Sequence, residues 1–275
     1  MSRPLRIALI QQHATEDIDE NRRRGAEALE KAAKGEAGLV AFAELAFSPF
    51  YPQRPASGDV KDLAEPIPGP TTDLFTDLAR KYGIVTVLNF FERDGEKMYD
   101  ASPVIDADGS ILGVTRMLHI IEAPCFHEQG YYAPGDGSPM VYDTAVGKIG
   151  VSICYDRHFP EYMRRLGTLG AELVVVPQAG AVGEWPSGVY EAELQIAGFQ
   201  NGYFTALCNR VGREPCIAFE GKSFVTDPSG KIVAQSPAEK DDILMADIDL
   251  DGVARSHARN HFLKDRRPDV YATWS

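Results

Sequence analysis

The sequence contains few cysteines and no long hydrophobic run. Its 275 residues include four cysteines, none in a Cys-x-x-Cys pair, which disfavours a disulfide framework, a zinc ribbon and a thioredoxin-like redox site. Each cysteine is therefore expected to act singly, as a core residue or as a reactive thiol. No apolar stretch reaches the roughly 18 residues of a membrane span, and the first residues lack the pattern of a secretory signal. We therefore expect a cytoplasmic protein without a membrane partner.

Basic residues are also scarce relative to acidic ones. The chain has 28 Lys and Arg against 40 Asp and Glu, a formal net charge of −12. Binding of nucleic acid needs clustered basic residues that neutralise phosphates, so we expect no nucleic-acid partner. With 44% hydrophobic and 25% charged residues the chain has the composition of a globular protein. Because no linker, repeat or low-complexity tract divides it, residues 1–275 are predicted to form a single domain.

Short apolar runs and helical patterns alternate along the chain. The runs predict buried strands, and they are Leu5–Ile10, Leu39–Phe42, Ile84–Phe91, Ile149–Ile153, Leu173–Val176, Tyr203–Val211 and Ile243–Ile248. Helices are predicted over 19–34, from caps at Thr71 and Thr72, from Pro160 to near Gly167 or Gly170, and over 189–200. Turn residues at 106–109 and 227–230 predict two hairpins. The mixture predicts an α+β fold with two sheets packed face to face under helices, and the proline-rich loop 46–70 is expected to form a functional rim.

Two strand ends carry residues suited to catalysis. The run 147–153 leads into Cys154, where a thiol at a strand-to-helix turn can be exposed and activated. A lone cysteine is more often an inert core residue, but the polar neighbours Asp156, Arg157 and His158 argue against apolar burial. The run 39–43 ends in Glu44, whose pKa partial desolvation would raise towards the range of a general base. Taken alone, Glu44 is more simply a solvated strand-end residue.

A third segment, residues 116–136, contains His119, Cys125, His127 and Glu128. The two histidines and the cysteine match no standard zinc spacing, so we expect no metal site and assign them structural roles. Cys208 and Cys216 are likewise expected to be structural, like Cys125.

With these three segments the chain resembles the nitrilase superfamily of carbon-nitrogen hydrolases. That family combines a Glu on an early strand, a Lys in an Arg-Lys-x-His segment, a second Glu and a Cys after a Gly-x-Ile-Gly-Val-x-Ile strand. Glu44, Glu128 and Cys154 occupy three of these positions, and the resemblance extends over nearly the whole chain. It implies a four-layer α-β-β-α sandwich, a cofactor-independent amidohydrolase acting on a small linear amide or ureido substrate, and a homodimer or higher homo-oligomer.

The strings Cys154-Tyr-Asp-Arg-His-Phe-Pro-Glu and Asn209-Arg-Val-Gly resemble the N-carbamoyl-β-alanine and N-carbamoylputrescine amidohydrolase branches. In this resemblance the Tyr155 N–H belongs to the oxyanion hole and Arg157 binds a substrate carboxylate. An ion pair of Arg157 with Asp156 or Glu161 is an equally simple role. By their place after the strand ending at Val176, three residues are candidates for substrate contact, namely Gln178, Ala179 and Trp185. The C-terminal stretch 261–275 is expected either to extend over a neighbouring subunit or to be a surface tail.

The family's catalytic lysine is absent. Arg116 and His119 fix the alignment, which places Met117 at the lysine position. Loss of one oxyanion-hole donor typically lowers the rate by about 10²- to 10³-fold. Three interpretations follow: another donor such as Arg116 or His119 substitutes, the chain is altered at this position, or the protein is a silent nitrilase-fold ligand-binding protein. The active enzyme is the favoured hypothesis.

Overall fold

The computed structural model of the protein describes residues 2–274. The described residues form six α-helices, α1 to α6 in chain order, which span Ile18–Lys34, Pro70–Tyr82, Pro160–Thr168, Val189–Asn201, Asp251–Arg255 and Pro268–Tyr271. They also form seventeen strands, β1 to β17, which span Pro4–Gln11, Leu39–Phe42, Val85–Val87, Phe90–Asp94, Lys97–Ile105, Ile111–Arg116, Glu122–Ala123, Phe126–His127, Val141–Thr144, Gly147–Val151, Leu173–Gln178, Phe204–Asn209, Val211–Arg213, Ala218–Glu220, Phe224–Thr226, Ile232–Gln235 and Asp242–Asp249. None of these helices is long and apolar enough to cross a lipid bilayer.

Two large mixed sheets carry the fold. The first has the order β17-β1-β2-β3-β5-β4, with β6 paired to β5, and its strands β1, β2 and β3 run parallel. The second has the order β16-β15-β12-β11-β10-β9, with β10, β11 and β12 parallel. The parallel strands lie at the centre of both sheets and are buried on both faces, which explains their nearly continuous apolar sequences.

Alternate side chains of the central strands build separate cores. In β1, Ile7 and Leu9 pack against Ile149 of the facing sheet, whereas Ala8 and Ile10 pack against α1 and α2. In the second sheet the outward side chains of β11 pack in the same way against α3 and α4. The layers therefore follow the order α-β-β-α, and the expected four-layer sandwich is confirmed.

The predicted strands and helices lie where the structure has them, with ends that differ by at most two residues, except where two predicted strands are divided. The predicted strand 84–91 divides into β3 and β4 because the Asn89 side chain accepts a hydrogen bond from the Leu45 N–H at 2.7 Å. The predicted strand 203–211 divides at Arg210 into β12 and β13. Helix α2 begins one residue earlier than its predicted caps, with Gly69 as N-cap and Thr72 accepting from the Gly69 N–H.

Both predicted hairpins are present, joining β5 to β6 and β15 to β16. Their turns place Gly109 and Gly230 at φ values of 84° and 85°, a conformation that favours glycine. The loop 46–70 contains only two short 3₁₀ turns, at Tyr51–Gln53 and Lys61–Leu63.

The expectation that every cysteine acts singly is wrong for one pair. Cys125 and Cys216 form a disulfide that joins segments 91 residues apart in sequence. Sequence spacing gave no sign of this pair because the two segments meet only in the folded chain. Cys154 and Cys208 are free and buried. Cys208 donates to the backbone oxygens of Ile10 and Ala41 at 3.3 and 3.4 Å, a structural role.

Candidate active site

Glu44 lies two residues beyond β2 and is fully buried. The next residue, Leu45, has a φ of 44°, an unfavourable conformation for a branched side chain. Arg210 stabilises this turn by donating to the backbone oxygens of Glu44 at 3.0 Å, of Leu45 and of Ser48. The carboxyl group of Glu44 is therefore held in the protein interior by a buried guanidinium that binds its backbone.

Cys154 begins a 3₁₀ turn, Cys154–His158, that follows β10. It has a φ of 41° and 6% of its surface exposed. Gln178, at the end of the neighbouring strand β11, donates from Nε2 to the Cys154 sulfur at 3.3 Å. A non-glycine residue in this conformation is strained, and such strain is concentrated at functional sites.

Asp156 connects the turn after Cys154 to the segment that contains Met117. Its buried carboxylate accepts hydrogen bonds from the Leu118 N–H, from the His119 N–H at 3.0 Å and from His119 Nδ1 at 2.6 Å. The His119 ring also stacks on Phe159, with ring centroids 3.5 Å apart. His119 thus orients the backbone of this segment.

Met117 is completely buried and packs in the same core as Cys154. Its backbone N–H donates to the Asp100 carbonyl at 3.0 Å, which places it beside β5. Neither residue considered as a substitute for the lysine is available, because Arg116 binds Glu92 at 2.6 and 2.7 Å and His119 binds Asp156. The lysine position is therefore occupied by an apolar side chain.

Three buried carboxyl groups interact with one another and with Cys154: Glu44, Glu128 and Asp100. Burial, reinforced by the charge of Glu128, raises the pKa of Glu44 to about 8, although contacts with Cys154 and Asp100 offset part of the rise. Burial also raises the pKa of Glu128 and that of Asp100 well above their ordinary values, with further increases from Asp100 on Glu128 and from Glu44 on Asp100. The mutual effects show that the three groups form one electrostatic cluster.

The Cys154 thiol belongs to the same cluster. Burial raises its pKa well above the ordinary value, and the charges of Glu44 and Glu128 raise it further, while Arg157 lowers it. The resting sulfur is therefore a neutral thiol that needs a base to remove its proton. Glu44 is the carboxyl group whose pKa is suited to that step.

Arg157 lies beneath Cys154 and is bound on several sides. Its Nη1 donates to the Cys154 carbonyl at 2.8 Å and to Gln178 Oε1 at 2.6 Å, and its Nε forms an ion pair with Glu193 at 3.0 Å. Neither partner expected from the sequence, Asp156 or Glu161, is the one observed, because helix α4 brings Glu193 to the guanidinium. These contacts give Arg157 a structural role, while its buried Nη2 has no hydrogen-bond partner among the described residues.

The remaining candidates lie at different distances from the buried cluster. Ala179 is fully buried beyond β11, and the half-buried Tyr155 ring packs edge-on against His158 and Phe159. Trp185 is 39% exposed and reaches His158 rather than the cluster, so it lies at the surface side of this region.

Throughout residues 2–274, no group of three or more His, Cys, Asp or Glu side chains is arranged to hold a metal ion. In particular, His119 binds Asp156, His127 binds Glu122 at 2.7 Å and Cys125 is disulfide-bonded.

The sequence analysis missed three residues that the structure places at or next to the candidate site: Asp100, Arg210 and Glu193. Asp100 lies in β5 among apolar neighbours, and a carboxyl group at a buried strand position was the available signal. Arg210 similarly follows six buried residues of β12. Glu193 offered no signal, because it lies among other polar residues of α4.

Fold and site together define an enzyme of the nitrilase superfamily. The sequence profile of the family described as Carbon-nitrogen hydrolase matches residues 6–258, so the chain belongs to that family. It is 33% identical to a citrullinase of Francisella tularensis, over 97% of this chain and 96% of the relative. It is 31% identical to the N-carbamoylputrescine amidase of Solanum lycopersicum, over 98% of this chain and 94% of that relative. A crystal structure of a carbon-nitrogen hydrolase from Helicobacter pylori G27 superposes with a TM-score of 0.91 at 29% identity, covering 98% of this chain and 97% of that one.

Proposed function

We propose that the protein hydrolyses the C–N bond of a small linear amide or N-carbamoyl compound through a covalent thioester on Cys154. The observation that carries the proposal is the burial of a free thiol in one electrostatic cluster with Glu44 and Glu128. Nothing in the packing requires these three polar groups to lie together, and burying them is costly unless they serve a reaction. The activities of the relatives, a citrullinase and N-carbamoylputrescine amidases, support a ureido substrate.

In this mechanism Glu44 accepts the proton of the Cys154 thiol as the sulfur attacks the carbonyl carbon. The tetrahedral oxyanion is held by the Tyr155 N–H. Glu44 then returns the proton to the leaving nitrogen, the C–N bond breaks, and ammonia or an amine departs. A water molecule deprotonated by Glu44 hydrolyses the thioester and restores the thiol. For an N-carbamoyl substrate that loses ammonia first, the released carbamic acid gives an amine and carbon dioxide.

Glu128 has a supporting role in this proposal. Its Oε2 accepts a long hydrogen bond from the Ile121 N–H at 3.4 Å, and its Oε1 is unpaired in the part of the chain that the structure describes. An oxygen in this state is suited to accept an N–H of the substrate. Gln178 contacts the Cys154 sulfur and Ala179 follows it in the chain, whereas the position of Trp185 suits a contact with the outer part of a substrate.

The test measures ammonia release from N-carbamoyl-β-alanine, N-carbamoylputrescine and simple aliphatic amides by the wild type and by Cys154→Ala. Turnover by the wild type alone, with a mass adduct on Cys154, is the expected result. Equal rates in both proteins would contradict the mechanism. Background rates in the wild type with a large gain in Met117→Lys would instead favour the silent ligand-binding protein.

We further propose that residues 1–275 act as one domain, in the cytoplasm, as a homodimer or larger homo-oligomer. An apolar groove of about 690 Å³ between α3, α4 and the C-terminal residues Arg266 and Tyr271 supports self-association, and Ile196 in it is 52% exposed. The low cysteine content supports the location. Light scattering of the wild type and of Ile196→Glu tests the assembly, because the charged side chain should reduce the molar mass if the groove is the interface. Trapping of thiols in intact cells tests the location, since Cys125 and Cys216 would be reduced in the cytoplasm.

A further inference from the structure

Each basic side chain around the active site already has its own acidic partner. Arg210 pairs with Glu214, Arg157 with Glu193, Arg116 with Glu92, and His119 with Asp156. The carboxyl groups of Glu44, Asp100 and Glu128 have no such partner within residues 2–274. With Met117 at the lysine position, the cluster has three acidic groups and no cation of its own.

Both oxygens of Glu44, Oδ2 of Asp100 and Oε1 of Glu128 are buried and accept no hydrogen bond from an N–H or hydroxyl group of the described residues, although the Glu44 carboxyl group contacts Cys154 and Asp100. The orientation of Asp100 is fixed, because Asn89 accepts from the Leu45 N–H through its oxygen and donates from its nitrogen to Asp100 Oδ1 at 2.5 Å. Asp100 Oδ2 is therefore directed away from the Asn89 amide. Unpaired buried acceptors are costly, so a ligand that supplies N–H donors would be strongly favoured.

A neutral amide matches this arrangement poorly. Its carbonyl oxygen needs a donor where the lysine is missing, and its NH₂ group supplies only two N–H bonds. An amidinium or guanidinium group supplies at least four N–H donors around its reacting carbon, no acceptor, and a positive charge. The three carboxyl groups do not converge on a common metal position in the described chain.

We propose that the substrate itself brings the missing cation: the protein hydrolyses an amidinium or guanidinium group to the corresponding amide or urea, with release of ammonia. This inference rests on the proposed Cys154-dependent reaction and narrows its substrate class. The carboxyl groups of Glu44, Asp100 and Glu128 bind the N–H groups, and Cys154 attacks the carbon between them.

The chemistry balances without another reactant. Glu44 takes the thiol proton, the S–C bond forms, and the C=N electron pair moves onto nitrogen, which becomes neutral. No oxyanion develops in this step, so the step does not need the lysine ammonium. Glu44 then protonates one nitrogen, the C–N bond breaks, ammonia leaves, and a cationic thioimidate remains on the sulfur. Water attacks it and gives one proton to Glu44. The C–S bond then breaks, the hydroxyl proton passes to sulfur to restore the thiol, and the proton on Glu44 passes to the released ammonia, which leaves as ammonium. The sum is amidinium plus water to amide plus ammonium.

The experiment compares substrates that differ only at the reacting group. The pairs are butyramidine and butyramide, 4-guanidinobutyrate and 4-ureidobutyrate, and agmatine and N-carbamoylputrescine, which cover apolar, acidic and basic tails. Ammonia release gives kcat/KM for each, and mass spectrometry identifies the amide or urea product. For at least one tail, we expect the kcat/KM of the wild type to be tenfold or more higher for the cationic substrate than for its neutral counterpart. We expect Cys154→Ala to abolish the reaction.

Met117→Lys and Met117→Leu provide a matched comparison. Lysine restores a cation among the carboxyl groups, so we expect the preference to reverse towards the neutral member. Leucine keeps an apolar side chain of similar volume, so Met117→Leu should still have a higher kcat/KM for the cationic substrate than for its neutral counterpart. If Met117→Lys and Met117→Leu change the ratio of kcat/KM between the cationic and the neutral substrate equally, the change is a packing effect and the inference is overturned.

Binding is measured separately, by the shift in melting temperature with acetamidinium chloride against acetamide at equal ionic strength. Cys154-dependent turnover of neutral members at equal or higher kcat/KM for all three tails overturns the inference and leaves the proposed function in place. With no turnover of any substrate, the proposed function fails. In that case a larger shift with acetamidinium supports the cation site, and equal shifts overturn it.

Discussion

Restoring a positive charge at position 117 should activate the cysteine even when no substrate is present. In the wild type, burial and the charges of Glu44 and Glu128 both raise the pKa of the Cys154 thiol. The Met117 side chain lies in the same buried core as Cys154 and next to β5, which carries Asp100. Met117→Lys places an ammonium among these carboxyl groups, which opposes both their repulsion of the thiolate and their own protonation.

The size of the effect follows from Coulomb's law. Two unit charges roughly 6 Å apart at an effective dielectric constant of about 20 interact by about 3 kcal/mol. Since one pKa unit corresponds to about 1.4 kcal/mol, the pKa of Cys154 should fall by about two units. At a pH below both pKa values, the thiolate fraction then increases by about 100-fold. The pKa of Glu44 should also fall from about 8 towards its ordinary range.

The assay is the rate of alkylation by iodoacetamide at pH 8, followed by intact mass. Peptide mapping separates Cys154 from Cys208, the other free cysteine, which serves as an internal reference for unfolding. Met117→Leu is the control for altered packing. Alkylation of Cys154 that is equally fast in the Lys and Leu variants, with Cys208 protected in both, would refute the claim that the carboxyl cluster lacks a cation.

Three further results are expected. Because the pKa of Glu44 rises from its ordinary 4.5 to about 8 on folding, the folded chain binds more protons than the unfolded chain between these pH values. The free energy of unfolding should therefore decrease with rising pH by up to about 1.4 kcal/mol per pH unit across that window. Urea denaturation at pH 5 and 7.5 measures this decrease, and Glu44→Gln should make it smaller. Arg210→Met should lower the free energy of unfolding by about 3 to 5 kcal/mol, because it leaves Glu214 uncompensated and removes three backbone contacts; an unchanged urea midpoint would contradict this. Cys125→Ser should lower the same quantity by up to about 4 to 5 kcal/mol under oxidising conditions, since the pair closes a loop with a separation of 91 residues, and the loss should disappear in reductant.

The sequence predicted the fold best where a residue's environment is set by its own strand or turn. Continuous apolar runs marked the central strands because both faces of each sheet are covered, by helices and by the other sheet. Asp106 and Asp227 marked hairpins because the turn chemistry is local to four residues. Glu44 and Cys154 were found for a related reason, since both follow a central strand at its carboxyl end.

Contacts between distant segments could not be predicted in this way. The partner of Arg157 was expected nearby in sequence, but α4 brings Glu193 to it from 36 positions further along the chain. The Cys125–Cys216 disulfide depends on the meeting of the 122–127 hairpin with the loop between β13 and β14. Asp100 was missed because a single carboxyl group inside a strand acquires its meaning only from the neighbours that the fold supplies.

Met117 and Asp100 together determine the balance of charge around Cys154. Met117 contributes no positive charge, and the buried Asp100 is an acidic member of the same cluster as Glu44. Buried carboxyl groups without a charged partner oppose folding, so their burial in one cluster has a cost in stability. The presence of Glu44, Asp100 and Glu128 around a free thiol therefore supports the proposal that a bound cation compensates them during function.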